Sequence, residues 1–127
     1  MKYLLDTHTV LWLFDHVEKL SEIALGVILK PAGEKYVSIV SAWEVAIKIS
    51  LGKLTFDGGV GNFLTKIYEN GFELLPIKEE YIKQVENLPL LHRDPFDRML
   101  IASAISEGMR FITADTNIQK YNISWVW

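Results

Sequence analysis

The chain opens with the sequence MKYLLDTHTVLWLFDH, residues 1–16, in which a short apolar run, an acid and a helical pattern follow one another. The run at residues 2–5 does not alternate between polar and apolar positions, which is typical of a strand covered on both faces. Apolar positions then favour a helix over residues 7–16. A strand that leads directly into a helix is the first half of a parallel β-α unit.

The rest of the chain continues this alternation of short strands and helices. Further strands are predicted over residues 35–39, 72–77, 110–113 and 124–126. Further helices are predicted over residues 21–30, 41–51, 60–70, 79–87, 94–107 and 117–121. We therefore expect an α/β fold, a three-layer α/β/α sandwich with a mostly parallel central sheet, in a single domain over residues 1–127.

Composition narrows the possible functions. The 127 residues are 50% hydrophobic and 23% charged and include no cysteine, which excludes disulfide scaffolds, thiolate zinc sites and cysteine nucleophiles. No apolar run is long enough to span a membrane, and Asp6 and His8 interrupt the first apolar stretch before it reaches the length of a signal peptide. We expect a cytoplasmic protein without a membrane partner.

Four acids are predicted to lie near the ends of strands. Asp6 directly follows the first strand, and Asp115 follows the strand over residues 110–113. Glu44 and Asp97 fall in the predicted first turns of two helices. In open α/β sheets the ligand site lies beyond the carboxyl ends of the strands, so a parallel sheet brings three of these acids to that edge. Asp97 joins them only if its helix begins at the same edge.

Each of these acids has an alternative role as a helix cap. Asp6 and Asp115 each precede a predicted helix, and Ser41 with Glu44 has the spacing of a capping box. Asp94, followed by Pro95, is a good N-cap for the helix that carries Asp97. Acids are favoured at helix N-termini by the helix dipole, so each acid taken alone is compatible with capping.

Taken together, the four acids point to a cation. Carboxylates that converge on one edge repel one another and raise each other's pKa unless positive charge lies among them. Mg²⁺ or Mn²⁺ is suited to such a site, because hard divalent ions prefer carboxylate and water oxygens. Two such ions about 4 Å apart are common in enzymes that cleave phosphodiesters.

Four blocks of the sequence resemble the PIN-domain ribonucleases, and among them the VapC-type toxins of type II toxin–antitoxin pairs. The blocks are residues 4–9 with 11–12, residues 41–48 with 51–54, residues 92–102 and residues 112–115. The resemblance implies a PIN-like fold in which Asp6, Glu44, Asp97 and Asp115 are the metal-binding and catalytic acids. Thr7 and Thr113 would be supporting hydroxyls.

The resemblance also implies an activity and partners. It implies a Mg²⁺- or Mn²⁺-dependent endoribonuclease, the toxin of such a pair, that hydrolyses RNA phosphodiesters with a metal-activated water. It further implies a cognate antitoxin and a homodimer. A PIN nuclease of RNA maturation and a catalytically silent PIN-like binding module remain alternatives. A phospho-accepting receiver domain is disfavoured, because Asp6 is followed by Thr7 and not by a second acid.

Basic residues flank the acid blocks. Lys48, Arg93 and Arg98 are candidates for binding RNA phosphates, although they could instead pair with the acids or face solvent. The net charge of −3 becomes +1 when the four acids are set aside, so the acidic total is compatible with an RNA substrate.

Overall fold

A five-stranded, all-parallel sheet forms the middle layer of the computed structural model, which describes residues 1–127. The strands are β1 Lys2–Leu5, β2 Glu34–Ser38, β3 Glu73–Leu75, β4 Arg110–Ile112 and β5 Trp125–Val126. The helices are α1 Thr7–Asp15, α2 Glu22–Leu29, α3 Ile39–Ser50, α4 Gly59–Glu69, α5 Glu79–Asn87, α6 Pro95–Glu107 and α7 Thr116–Gln119. A single 3₁₀ turn, Val17–Lys19, follows α1.

The strand order is β3-β2-β1-β4-β5, which places β1 at the centre of the sheet. Leu5 of β1 is paired with Val37 of β2 on one side and with Ile112 of β4 on the other. Every neighbouring pair is parallel, so all five carboxyl ends lie at one edge. The predicted three-layer fold is confirmed.

Side chains of the central strands alternate between two separate cores. Leu5 and Ile112 pack into a core shared with α1, α2 and α4, whereas Leu4 and Phe111 pack into a second core shared with α5 and α6. All four side chains are fully buried. Burial of one such side chain contributes roughly 1.5–3 kcal/mol. Because both faces of the sheet are covered, its strands are continuously apolar and do not alternate.

The start of α3 differs from the prediction. The helix begins at Ile39, and the hydroxyl of Ser38 caps it by accepting a hydrogen bond from the backbone N–H of Val40 at 3.0 Å. The predicted capping box is therefore wrong, because Ser41 lies inside the helix, with its hydroxyl 2.8 Å from that of Thr7. Glu44 consequently lies in the second turn of α3 and not in the first.

The boundaries of α6 agree with the prediction. Asp94 caps the helix by accepting from the backbone N–H of Asp97 at 3.0 Å, and Pro95 is the first helical residue. Gly108 ends the helix in a left-handed conformation, with φ at 64°. No helix of the chain has both the length and the apolar character needed to cross a bilayer.

Two Gly→Ala substitutions should have opposite effects on stability. At both Gly26, inside α2, and Gly108, an added Cβ meets no atom within 4 Å. Gly26 has ordinary helical geometry, so Gly26→Ala should raise the free energy of unfolding by about 0.5–1 kcal/mol. Gly108→Ala should lower it by about 1 kcal/mol, because alanine is strained at positive φ. Urea denaturation of both variants tests the pair, and equal signs would contradict it.

Candidate functional site

Asp6 lies at the carboxyl edge of the sheet, between β1 and α1. Its backbone N–H donates to the carbonyl oxygen of Ile112 at 3.1 Å, which continues the β1–β4 ladder. Its side chain is 3% exposed and does not cap α1. Instead, Oδ2 accepts a hydrogen bond from the hydroxyl of Thr113 at 2.9 Å. The capping alternative therefore does not hold for Asp6, whose carboxylate is held by Thr113, the residue after β4.

Thr113 connects Asp6 to Asp115. While its hydroxyl donates to Asp6, the same oxygen accepts from the backbone N–H of Asp115 at 3.0 Å. Asp115 also caps α7, because its Oδ1 accepts from the backbone N–H of Asn117 at 2.8 Å. One carboxylate oxygen of Asp115 thus serves the helix, and capping is compatible with a place in the acid cluster.

Glu44 is buried, and its two carboxylate oxygens have different surroundings. Oε2 accepts from the Nζ of Lys48, one turn later in α3, at 2.7 Å. Oε1 is buried and has no hydrogen-bond partner. A buried polar atom without a partner costs free energy, more so when the group is charged. This oxygen is therefore free to bind a group outside the chain.

Lys48 supplies positive charge at this point. Burial disfavours the charged amine, but the hydrogen bond to Glu44 and the charges of Glu44, Asp94 and Asp97 together raise the pKa of Lys48 above its usual value. The amine therefore stays protonated at neutral pH. One lysine does not balance the surrounding carboxylates.

Asp97 lies in the first turn of α6, with His92 beside it. Its Oδ2 is 2.8 Å from Nε2 of His92, and the two side chains are 14% and 20% exposed. Ligand atoms of His92, Asp94 and Asp97 all lie within 4.8 Å of one another, and no other group of three or more metal-capable residues is as close. The four predicted acids therefore do not form an equally tight set.

Burial and mutual repulsion raise two of the carboxyl pKa values. Burial, with the charges of Asp115 and Glu44, raises the pKa of Asp6 to about 7 in spite of the Thr113 hydrogen bond. Burial also raises the pKa of Asp97 to about 7, and the charges of Asp6, Asp94 and Glu44 add to this. The rings of Phe96, in the first turn of α6, and Trp43 of α3 lie 5.1 Å apart, so α6 begins beside the first turns of α3, which directly follows β2 at the carboxyl edge of the sheet.

The donors at this edge fit a hard divalent cation. Asp6, Glu44, Asp97 and Asp115 offer only carboxylate oxygens, which Mg²⁺ and Mn²⁺ prefer. The unpaired Oε1 of Glu44 is available as a ligand atom. A bound cation would also offset the carboxylate repulsion that, after burial, contributes to the raised pKa values of Asp6 and Asp97.

A cleft of about 440 Å³ opens beside Glu44, between α1 and α3. Lys19, Lys48 and Lys53 line it together with His8 and His16. The cleft thus places basic side chains next to the acids. The sequence pattern alone does not indicate Lys19, because the 3₁₀ turn after α1 brings it to the cleft.

The other two predicted basic residues lie away from this cleft. Arg93 and Arg98 line a second, apolar cavity of about 320 Å³, together with Trp43 and Phe96. Arg93 is exposed. The guanidinium group of Arg98 instead donates to the carbonyl oxygen of Pro89 at 3.0 Å and to the hydroxyl of Tyr121 at 2.9 Å. No local pattern marks Tyr121, since this contact spans 23 residues.

The fold and the site define an α/β sandwich with a carboxylate-rich edge at the strand ends. The chain belongs to the PIN domain family, whose sequence profile matches residues 3–123. Comparison with curated proteins gives no match.

Solved structures share the fold. VapBC2 from Rickettsia felis bound to a DNA fragment has a TM-score of 0.77 at 14% identity, covering 99% of this chain and 98% of that one. VapBC-1 from nontypeable Haemophilus influenzae has a TM-score of 0.68 at 17% identity, with 99% and 97% covered. VapBC-5 from Mycobacterium tuberculosis, a member of the VapBC family of toxin–antitoxin systems, has a TM-score of 0.64 at 18% identity, covering 98% of this chain and 95% of that one.

The raised pKa values predict how stability depends on pH without metal. An acid whose pKa is higher in the folded state stabilises the fold below its unfolded pKa, and this contribution is lost as pH rises through the folded value. For Asp6 that window runs from 3.8 to about 7. Asp6→Asn should therefore gain about 2–4 kcal/mol relative to wild type between pH 4 and pH 8.

Urea denaturation in EDTA across this pH range measures the difference. Asn keeps an oxygen that can accept from Thr113, so the substitution removes mainly the charge. Asp57→Asn is the matched control, because Asp57 is exposed. Its difference from wild type should be flat across the range. If the difference in free energy of unfolding between Asp6→Asn and wild type is also independent of pH, the raised pKa of Asp6 is contradicted.

Proposed function

We propose that this chain is a Mg²⁺- or Mn²⁺-dependent endoribonuclease and the toxin of a toxin–antitoxin pair. Membership of the PIN domain family supports a nuclease. The observation that carries the proposal is the buried Oε1 of Glu44, which has no partner within the chain. It lies in an acid cluster where two pKa values are raised to about 7.

Asp6, Glu44, Asp97 and Asp115 would hold the divalent ion. When bound, such an ion supplies Lewis-acid activation of water and of the phosphodiester. No side-chain nucleophile is then needed, and a chain without cysteine is consistent with this chemistry.

The remaining residues of the site keep these carboxylates in place. Thr113 fixes one oxygen of Asp6 through its hydroxyl, at 2.9 Å. The hydroxyl of Thr7 lies 2.8 Å from that of Ser41, and this hydrogen bond joins the start of α1 to α3. Thr7 and Thr113 are both buried, so neither hydroxyl is free to turn toward solvent. Fixed ligands reduce the reorganisation needed on binding.

The substrate would lie in the cleft beside Glu44, whose lining includes three lysines together with Asp15 and Glu44. Lys48 and Lys53 line it, and exposed Lys19 lies 5.9 Å from the ring centre of Trp12. Ammonium groups along a cleft can bind successive phosphates of a nucleic-acid strand. We assign Lys48 to the phosphate nearest the acids. Arg93 is exposed in the segment before α6, beside a different cavity, and would contact a more distant part of the RNA.

The proposed protein partners are an antitoxin and a second copy of the chain. Solved structures of similar fold include VapBC2, VapBC-1 and VapBC-5, the last a member of the VapBC family of toxin–antitoxin systems. Large apolar side chains are exposed on several helices, including Ile23 and Leu29 on α2 and Trp43 on α3. Protein partners would cover such surfaces.

Metal-dependent cleavage tests the proposal. Wild-type protein should be stabilised by Mn²⁺, by about 2.7 kcal/mol at a concentration 100 times Kd. It should cleave RNA and leave DNA of the same sequence intact, with no cleavage in EDTA. Glu44→Gln removes a ligand charge and should reduce cleavage by about 100-fold or more. Glu69→Gln, at an exposed position of α4, is the matched control and should cleave like wild type.

Failure of this test has a defined meaning. If Mn²⁺ does not stabilise the protein and RNA stays intact, the chain is a silent PIN-like binding module. If Glu44→Gln cleaves as fast as wild type, the assignment of the four acids is wrong.

Toxicity is a separate expectation. Induced expression of the wild-type chain in a bacterial host should arrest growth, whereas Glu44→Gln at equal protein level should not. Colony counts after induction measure the effect, and a several-log difference is expected. Cleavage in vitro without growth arrest would instead favour a nuclease of RNA maturation.

A further inference from the structure

The segment between α5 and α6 is held in place by Arg98, the residue after Asp97. Its guanidinium group donates to five acceptors at 2.9–3.4 Å. These acceptors are the backbone oxygens of Val85, Leu88, Pro89 and His92 and the hydroxyl of Tyr121. Both terminal nitrogens of Arg98 are therefore engaged with this segment and with the end of α5.

Tyr121 adds a second attachment to the same segment. Its hydroxyl accepts from the backbone N–H of His92 at 3.0 Å and also from Arg98 at 2.9 Å. Tyr121 is 4% exposed, so its ring is fixed by packing in the core. Arg98 and Tyr121 thus contact both the N–H and the carbonyl oxygen of His92 and fix its backbone.

The imidazole of His92 then reaches back to the acid cluster. Its Nε2 lies 2.8 Å from Oδ2 of Asp97. A carboxylate with one oxygen held in this way cannot rotate freely, so the direction of its other oxygen is set. Asp94 does not hold the carboxylate of Asp97, because its Oδ1 accepts instead from the backbone N–H of Asp97.

We infer that His92 is a positioning residue for Asp97, and that Arg98 and Tyr121 form the clamp that sets His92 in place. The inference rests on the proposed function, since it concerns how Asp97 is presented to a divalent ion. It gives Arg98 a role inside the protein in place of phosphate binding. Partners that orient a ligand typically contribute 10–100-fold to metal affinity.

Mn²⁺ binding to three proteins tests the role of His92. Calorimetric titration of metal-free His92→Ala should give a Kd at least about 10-fold weaker than wild type. His92→Gln can return an N–H donor toward Asp97 and should recover most of that loss. Equal losses in both variants would overturn the positioning role and make His92 a metal ligand.

Two tyrosine variants test the clamp. Tyr121→Phe removes the hydroxyl that holds His92, and Tyr81→Phe removes one that donates to Glu107 at 2.6 Å, near the far end of α6. Both tyrosines are buried, so both variants should melt at lower temperature than wild type. Only Tyr121→Phe should weaken Mn²⁺ binding. Equal Mn²⁺ affinity for Tyr121→Phe and wild type would overturn the clamp.

The double variant shows whether the clamp acts through His92. His92→Ala combined with Tyr121→Phe should bind Mn²⁺ as His92→Ala does alone, because the hydroxyl no longer has an imidazole to position. If the losses in Mn²⁺ affinity of the two single variants multiply in the double variant, Tyr121 does not act through His92.

Failure of the inference is distinguishable from failure of the proposed function. If wild type binds Mn²⁺ and His92→Ala binds it equally well, the inference alone is wrong. If wild type binds no Mn²⁺, the metal site is wrong and the inference falls with it.

Discussion

The burial of neighbouring carboxylates, which removes them from water and makes them repel one another, is the constraint around which this edge of the protein is arranged. Asp6 lies beside other acids because it follows the central strand, β1, at the edge where all the parallel strands end. The fold tolerates the repulsion because two apolar cores fix the strands from both sides. The hydroxyl of Thr113 and the amine of Lys48 offset part of it. The stability of the cores thus allows carboxylates to be buried together at this edge.

Much of the fold could be predicted from local patterns. Continuous apolar strands and well-marked helix ends, such as Asp94 with Pro95, identify a covered parallel sheet. The start of α3 was misplaced because two serines, Ser38 and Ser41, both precede apolar residues, and only the strand register decides between them. The predicted position of Glu44 along α3 is therefore wrong by one turn, although Glu44 does lie near the carboxyl edge of the sheet.

The site was predictable only in part, for a physical reason. Acids that follow strands are visible in the sequence, since topology alone brings Asp6 and Asp115 to one edge. The contacts that orient them are not visible, because they join distant segments. Thr113 binds Asp6 across 107 residues, and Tyr121 binds His92 across 29. The hydrogen bonds of Arg98 depend on the conformation of the segment between α5 and α6, which no residue spacing in the sequence predicts.

The central position of β1 also has a consequence for the order of assembly. A ribosome releases β1 about a hundred residues before β4, its partner in the sheet, since Leu5 pairs with Ile112. Until β4 emerges, Asp6 has neither the ladder bond to Ile112 nor the hydroxyl of Thr113. Contacts of such long range also close slowly, because loop entropy opposes them. The acid cluster therefore becomes complete late in synthesis, and a nascent chain carries Asp6 for most of that time without the contacts that fix its carboxylate.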